Sequence, residues 1–159
     1  MPAKMEYDEQ VEKWFALETP FEDEVKQYWG GDWGVCSEVG VKNFIPFHIP
    51  FGHAHVDGLM NMVAPDLALI FPWQTSHEVW AELRKRGIEV LQAPSVDEVK
   101  AAAVNFVALA PRKVVMSKGN PQTRELLAVH GVEIIEADVS EIEKGWGSLH
   151  CMTAFLKRD

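Results

Sequence analysis

The chain has 159 residues, of which 47% are hydrophobic and 25% are charged, so it can bury one substantial core and is predicted to be globular. Fifteen Lys and Arg against 24 Asp and Glu give a net charge of −9, which argues against a nucleic-acid partner and favours a cationic ligand. With two cysteines, no signal-peptide pattern and no run of about 18 apolar residues, we expect a reduced cytoplasmic protein that does not bind membranes.

The first fifty residues lack clear periodicity. Residues 5–28 are acidic and aromatic and are compatible with one or two helices, whereas the glycines of 29–34 predict a loop. The apolar residues of 44–49 predict a buried strand. Because no low-complexity linker interrupts the chain, the predicted organisation is a single domain over 1–159, with an irregular or helical segment over 1–34 and repeat modules over 35–159.

From residue 67 onward, strands alternate with capped helices. Two capping boxes, Thr75-Ser76-His77-Glu78 and Ser95-Val96-Asp97-Glu98, predict helix starts, and Asn120-Pro121 supplies an N-cap and a first-turn proline to a third helix. Gly87 and Gly131 are typical helix ends. The predicted strands are 67–71, 88–91, 106–110, 114–116 and 132–135, and the shorter predicted helices lie around 99–103 and 140–143.

An internal repeat underlies this alternation. Gly87-Ile88-Glu89-Val90-Leu91 recurs as Gly131-Val132-Glu133-Ile134-Ile135, an offset of 44 residues (131 minus 87), and each copy follows a helix and precedes a Ser-x-x-Glu cap. The predicted unit is strand, strand, helix, strand, which indicates modules arranged radially or in a stack. The alternative is a chance likeness between two βαβ segments of a doubly wound sheet.

The segment before Cys151 contains candidate catalytic chemistry. Gly145-Trp146-Gly147-Ser148 permits an irregular turn that exposes a sulfur and presents backbone N–H groups to a reacting centre. A thiol nucleophile acts as the thiolate, which requires positive or dipolar surroundings, and His150 or His55 could supply them. The alternative is a small buried hydrophobic cysteine entering a strand.

A second candidate site is the string His53-x-His55-x-Asp57. All three side chains share one face if the segment is extended, which permits a metal-dependent hydrolase and resembles the first ligand string of metallo-β-lactamase-like enzymes. That string continues with a histidine where this chain has Gly58, and later ligands have no clear counterpart, so no metal is expected. Without a metal, His55 is a candidate acid-base residue and Asp57 a carboxylate for a cationic substrate.

Four strings together resemble the second half of amidinotransferases, arginine deiminases and dimethylargininase-like hydrolases, the guanidino-group-modifying enzymes of the pentein fold. They are His55-Val56-Asp57-Gly58, Val63-Ala64-Pro65-Asp66-Leu67-Ala68, Asn105-Phe106-Val107-Ala108-Leu109-Ala110-Pro111-Arg112 and Gly147-Ser148-Leu149-His150-Cys151-Met152-Thr153. The resemblance covers about 47–159. It implies an α/β fold in which ββαβ modules form a ring, or α/β propeller, around the active site.

The resemblance also implies a reaction. In that family a cysteine attacks the guanidinium carbon to give a covalent thiouronium-type intermediate, and a histidine protonates the departing amine before activating water or an acceptor amine. Cys151 matches the nucleophile, His55 the acid-base residue, and Asp57 a carboxylate that grips guanidinium nitrogens. The implied function is a cysteine-dependent hydrolase or amidinotransferase acting on a small guanidino or amidino compound without a cofactor.

The chain departs from the family pattern in its middle. Residues 29–40 resemble the opening signature of the family, yet only fourteen residues (41 to 54) separate them from His55, so about three modules are expected instead of five. The segment with the Glu-Gly-Gly-Asp-like string, which supplies another guanidinium-binding carboxylate, is among the missing parts. Asp32 is a candidate replacement because it also follows two glycines. Trp146 stands where small residues are usual and either stacks on a cation or fills a gap left by the lost modules.

Missing modules would leave hydrophobic faces and strand edges uncovered. This predicts a homodimer or higher homo-oligomer in which a partner closes the ring or supplies a carboxylate. The alternative function is a catalytically incomplete relative that binds a ligand or a partner.

Overall fold

A computed structural model of the chain describes residue 49 and residues 55–154, which belong to one compact unit, Ile49–Asp159. The strands are β1 (Met60–Ala64), β2 (Leu67–Ile70), β3 (Glu89–Gln92), β4 (Val107–Ala110), β5 (Lys113–Ser117) and β6 (Glu133–Ala137). The helices are α1 (His77–Lys85), α2 (Val96–Lys100), α3 (Pro121–Val129) and α4 (Ser140–Glu143), and a 3-10 turn, Val56–Gly58, precedes β1. None of the helices in these ranges is long and apolar enough to cross a membrane.

The strands form two three-stranded sheets, ordered β1-β2-β3 and β4-β5-β6. In each sheet the first two strands are antiparallel, and the third returns parallel to the second after a helix. The predicted strand, strand, helix, strand unit is therefore confirmed. The doubly wound alternative is wrong for the described part of the chain, because its six strands do not form one continuous sheet.

The two hairpins match in detail. Next to the turn, the last pair between β1 and β2 is Ala64–Leu67, and the last pair between β4 and β5 is Ala110–Lys113. Each hairpin has a register shift just before its turn. The offset between hairpins is 46 residues (110 minus 64), whereas the third strands are offset by 44 (133 minus 89). The difference arises because ten residues separate the starts of β2 and α1 (77 minus 67), but eight separate those of β5 and α3 (121 minus 113).

Two helix starts differ from the prediction. Helix α1 begins after Ser76, not after Thr75, because the Thr75 hydroxyl donates a hydrogen bond to the carbonyl oxygen of Leu59 instead of capping the helix. Helix α2 begins at Val96, three residues before the predicted 99, because the hydroxyl of Ser95 accepts a hydrogen bond from the amide of Glu98 and so fixes the first turn there.

The Glu98 side chain does not complete the predicted capping box. Its carboxylate crosses to α3, where Oε1 accepts from the amide of Gln122 at 2.8 Å and Oε2 accepts from the amide of Thr123 at 2.8 Å and from its hydroxyl at 2.7 Å. Glu98 is buried, so it caps a helix whose own N-cap residue, Asn120, makes no side-chain cap. The contact ties α2, the end of the first module, to the second module.

The hydrophobic core is shared by both modules. Side chains from both sheets and α3 form one buried cluster that includes Val63, Leu67, Leu69, Leu91, Phe106, Val114, Met116 and Leu127. Polar contacts reinforce the junction: the amide of Arg112 donates to the carbonyl of Val63 at 3.1 Å, and its guanidinium lies 2.7 Å from Asp66. The predicted segments over 1–34, 29–34 and 44–48 lie outside the described residues.

Candidate active site

The candidate nucleophile lies in a turn that follows α4. Gly147 has a φ of 139°, a conformation that L side chains rarely adopt, and the buried Ser148 hydroxyl donates to Glu143 Oε1 at 2.7 Å. These features hold the chain in an irregular path that leaves Cys151 exposed with a free thiol. The alternative of a buried cysteine in a strand is therefore wrong.

The segment that contains His55 and Asp57 is not a continuous strand. His55 is extended, with φ −139° and ψ 159°, but Val56–Gly58 forms a 3-10 turn, so the expectation of one extended face is wrong. The turn is closed by a hydrogen bond from the amide of Leu59 to the carbonyl of Val56. It leaves His55 exposed and Asp57 buried, and His53 lies outside the described residues.

The two segments meet at Asp57. Its Oδ2 accepts a hydrogen bond from the Cys151 thiol at 3.2 Å across a separation of 94 residues, and the same oxygen lies 3.0 Å from Nδ1 of His150. One nitrogen of His55, one carboxylate oxygen of Asp57 and the Cys151 sulfur all lie within 4.8 Å of one another. The cluster therefore brings together three residues with predicted catalytic or substrate-binding roles, His55, Asp57 and Cys151.

Asn105 is part of this cluster, although the sequence analysis assigned it no role. It is buried immediately before β4, and its Oδ1 accepts from the amides of His150 at 2.9 Å and Cys151 at 3.4 Å. Its Nδ2 donates to the Cys151 sulfur at 3.0 Å. The available signal was a single polar residue in the otherwise apolar stretch 101–110.

Asn61 supports Asn105 from the neighbouring module. The Asn61 side-chain amide donates to the carbonyl oxygen of Val104 at 3.1 Å and to that of Phe106 at 2.7 Å, the residues on either side of Asn105. The backbone at Asn105 is thereby held from β1. Asn105, which contacts the thiol, therefore lies between two residues of the core cluster, Val104 and Phe106.

Trp146 is a further predicted site residue, and its ring is exposed. Trp146 is 96% exposed with a φ of 63°, and its two alternative roles, stacking on a cation or filling a gap left by missing modules, stay predictions. The exposed ring lies five residues before Cys151 in the chain (151 minus 146), in the same turn region. Asp32 lies outside the described residues.

The cluster also contains donor atoms of the kinds that bind metal ions. An imidazole nitrogen, a carboxylate oxygen and a thiol sulfur, from His55, Asp57 and Cys151, are ligands that zinc accepts. The geometry also suits a nucleophile, because the exposed sulfur accepts from Asn105, donates to Asp57 and lies within 4.8 Å of a His55 nitrogen.

Comparison with known proteins identifies relatives of this part of the chain. The arginine deiminase family model matches residues 71–158, more than half of the 159 residues. The chain is 32% identical over 92 residues to an arginine deiminase of Mycoplasma capricolum, covering 54% of this chain and 23% of that protein. It is 28% identical over 114 residues to the uncharacterized protein YkgA of Bacillus subtilis, covering 72% of this chain and 39% of that protein.

Solved structures agree on the fold. The inosamine-phosphate amidinotransferase of Streptomyces griseus superposes with a TM-score of 0.63 at 23% identity, over 78% of this chain and 38% of that one. DDAH of Pseudomonas aeruginosa, as a mutant in complex with citrulline, superposes with a TM-score of 0.52 at 21% identity, over 70% of this chain and 39% of that one. The chain spans less than half the length of each of these relatives. It belongs to the arginine deiminase family, within the pentein superfamily of guanidino-group-modifying proteins, and matches part of that fold.

Proposed function

We propose that this chain acts on a guanidino or amidino compound through a covalent bond to Cys151, by hydrolysis or by amidino transfer. The observation that carries the proposal is the convergence of the Cys151 sulfur, an Asp57 oxygen and a His55 nitrogen within 4.8 Å at an exposed site. Membership of the arginine deiminase family supports this substrate class.

The first step is attack by sulfur. His55 takes the thiol proton of Cys151, and the resulting thiolate forms a bond to the guanidinium carbon. His55 then protonates one nitrogen of the tetrahedral species, and that C–N bond breaks to release the amine. The product of this half-reaction is a thiouronium-type adduct on Cys151, together with the departed amine and a neutral His55 imidazole.

The second step releases the enzyme. His55 takes a proton from water or from an acceptor amine, whose oxygen or nitrogen then bonds to the adduct carbon while the C–S bond breaks. Water yields the ureido product, whereas an amine yields a new guanidine. Cys151 leaves as the thiolate and takes the proton held by His55, which restores the thiol and the neutral imidazole. In hydrolysis the second proton of water leaves with the released amine.

Asp57 has an electrostatic role in this proposal. A carboxylate that already contacts the sulfur is well placed to hold a guanidinium nitrogen beside it, by a charge-assisted hydrogen bond. Binding of the cation also offsets the negative charge that otherwise disfavours a thiolate 3.2 Å from Asp57. Thiolate formation and substrate binding are therefore coupled. Trp146 is proposed as an aromatic contact at the rim of the site.

Alkylation with iodoacetamide tests the proposal. An activated Cys151 should label rapidly near neutral pH, and arginine or a simple alkylguanidine should protect it, whereas urea of the same concentration should not. Labelling at the rate of an ordinary exposed thiol, with no protection by any guanidino compound, would contradict the proposal. The Cys151→Ser variant identifies any labelling at Cys36.

A catalytically incomplete relative is the second candidate function. It is favoured by one observation: among residues 55–154, Asp57 is the carboxylate in hydrogen-bond contact with Cys151, and a second guanidinium-binding carboxylate is not found beside it. Such a protein would bind guanidino compounds without forming an adduct. A zinc-dependent hydrolase is a further alternative, supported by the donor set at His55, Asp57 and Cys151, and it requires stoichiometric zinc and loss of activity with a chelator.

We propose that the whole chain forms one shortened pentein-like domain of about three modules, two of which are the β1–α2 and β4–α4 units described above. A homodimer would cover the strand edges and could bring a missing carboxylate, Asp32 of a neighbouring copy included, to the site. A cytoplasmic location remains a prediction from composition.

A further inference from the structure

The Asn105 side chain contacts both the backbone of the turn that contains Cys151 and the Cys151 sulfur itself. Its side chain has two functional ends: Oδ1 faces the amides of His150 and Cys151, and Nδ2 faces the Cys151 sulfur at 3.0 Å. The amide orientation is determined by this network, since the opposite orientation would place two N–H donors against Nδ2 and leave the sulfur facing an oxygen. The Asn105 carbonyl oxygen also accepts from the His150 amide, at 3.3 Å.

The sulfur therefore lies between two unlike partners. Asp57, as an acceptor, stabilises the protonated thiol and repels a thiolate, whereas the Asn105 N–H group is a donor that stabilises negative charge on sulfur. The nearby imidazoles of His55 and His150 contribute positive charge only when they are protonated. Within the described residues, the Asn105 side chain is thus the contact that stabilises the thiolate whether or not the two histidines are protonated.

We propose that Asn105 is a catalytic residue that stabilises the thiolate of Cys151 by hydrogen bonding to its sulfur, both before attack and when the C–S bond breaks. This proposal rests on the proposed function, in which the Cys151 thiolate is the nucleophile. Asn105 is rigid enough for the role because it is buried and because Asn61 holds the carbonyl groups on both sides of it. The Asn105 N–H group already contacts the sulfur, so it need not rearrange when the charge develops.

Two variants separate donation to sulfur from positioning of the turn. Asn105→Asp keeps an oxygen acceptor for the amides of His150 and Cys151 but lacks the donor to sulfur, whereas Asn105→Leu lacks both and adds no charge. Each should be alkylated by iodoacetamide about tenfold or more slowly than the wild type near neutral pH. Asn120→Asp is the matched control, because Asn120 is buried in the same module and its Nδ2 contacts Ala101 and Ser117 instead of the thiol.

A spectroscopic titration of the wild-type chain excludes an effect of the added charge or of altered folding. The Asn105 side-chain amide resonance, identified by its loss in Asn105→Asp, should shift in step with the ultraviolet absorbance of the Cys151 thiolate as pH is raised. An amide resonance that stays constant while the thiol ionises would overturn the proposal, as would alkylation of Asn105→Asp at the wild-type rate.

These outcomes are distinguishable from failure of the proposed function. A chain that binds no guanidino compound, but whose thiol still depends on Asn105, would refute the function and leave the role of Asn105 intact. A chain that forms a guanidino adduct with an unchanged rate in both Asn105 variants would do the reverse.

Discussion

The Cys151 thiol donates to Asp57 Oδ2 at 3.2 Å, and the two residues are 94 positions apart in the chain. A 3-10 turn provides the carboxylate and a glycine-rich turn provides the sulfur. Asp57 is buried whereas Cys151 is exposed, so a ligand can approach the sulfur while the carboxylate that contacts it stays fixed.

Asp57→Asn should have two opposite effects. Alkylation of Cys151 should become about tenfold faster, because a negative charge close to the sulfur no longer opposes the thiolate. Protection by arginine should be lost, because the carboxylate that would hold the guanidinium is gone. The measurement is the iodoacetamide rate with and without arginine. Faster labelling with full protection would show that Asp57 does not bind the cation.

Glu98→Gln should destabilise the fold without affecting the thiol. Three hydrogen bonds from the start of α3 converge on the Glu98 carboxylate, and a neutral amide can accept on one side only. We expect a loss of about 2 kcal/mol in the free energy of unfolding, measured by urea denaturation. Asp97→Asn is the control, because the Asp97 side chain is exposed on the same helix. Equal stability of both variants would contradict the capping role.

How much of this site the sequence could predict differs from residue to residue. His55, Asp57 and Cys151 could be identified because each stands in a short string with its own chemistry. Asn105 could not, because its role depends on the approach of the start of β4 to a turn 46 residues later. The partner of Glu98 was equally hidden, since local spacing favoured Ser95 and only packing brings α3 within reach.

The fold shows the same division. Capping residues and glycines predicted α1, α3 and α4 to within a residue or two, because those signals act within one turn. Strand β1 was not predicted. The sequence repeat is recognisable at the third strand, where its offset is 44 residues, but the hairpins are offset by 46, so the same repeat does not align β1 with β4. The 3-10 turn at Val56–Gly58 was missed because alternating polar residues favour a strand when tertiary contacts are ignored.

Acidification should destabilise the chain partly through Glu82. The side-chain hydrogen bond from Arg86, the largest cause, lowers the pKa of Glu82 below its ordinary value. Because the folded pKa is lower than the unfolded one, this stabilisation is present above the unfolded pKa and is lost as pH falls through the folded pKa. The melting temperature of Glu82→Gln should therefore fall less than that of the wild type between about pH 5 and about pH 3. Parallel curves would contradict this.

Size-exclusion chromatography with light scattering tests the predicted assembly. We expect a homodimer or a larger homo-oligomer, because apolar side chains such as Leu109 and Ile135 are exposed on the second sheet. A variant that carries Leu109→Glu and Ile135→Glu serves as the comparison. A monodisperse monomer of the wild type at all concentrations would remove the proposal that a partner copy completes the site.

Trapping of a covalent adduct tests whether Cys151 is the nucleophile. The chain should be incubated with arginine, agmatine and a simple alkylguanidine, quenched in acid, digested with trypsin and analysed by mass spectrometry of the peptide 145–157, which contains Cys151. We expect an adduct on Cys151 whose mass is that of an amidino group alone for amidino transfer, or of the whole guanidino compound less ammonia for deimination. Its absence with every compound, under conditions in which iodoacetamide still labels Cys151, would contradict the claim.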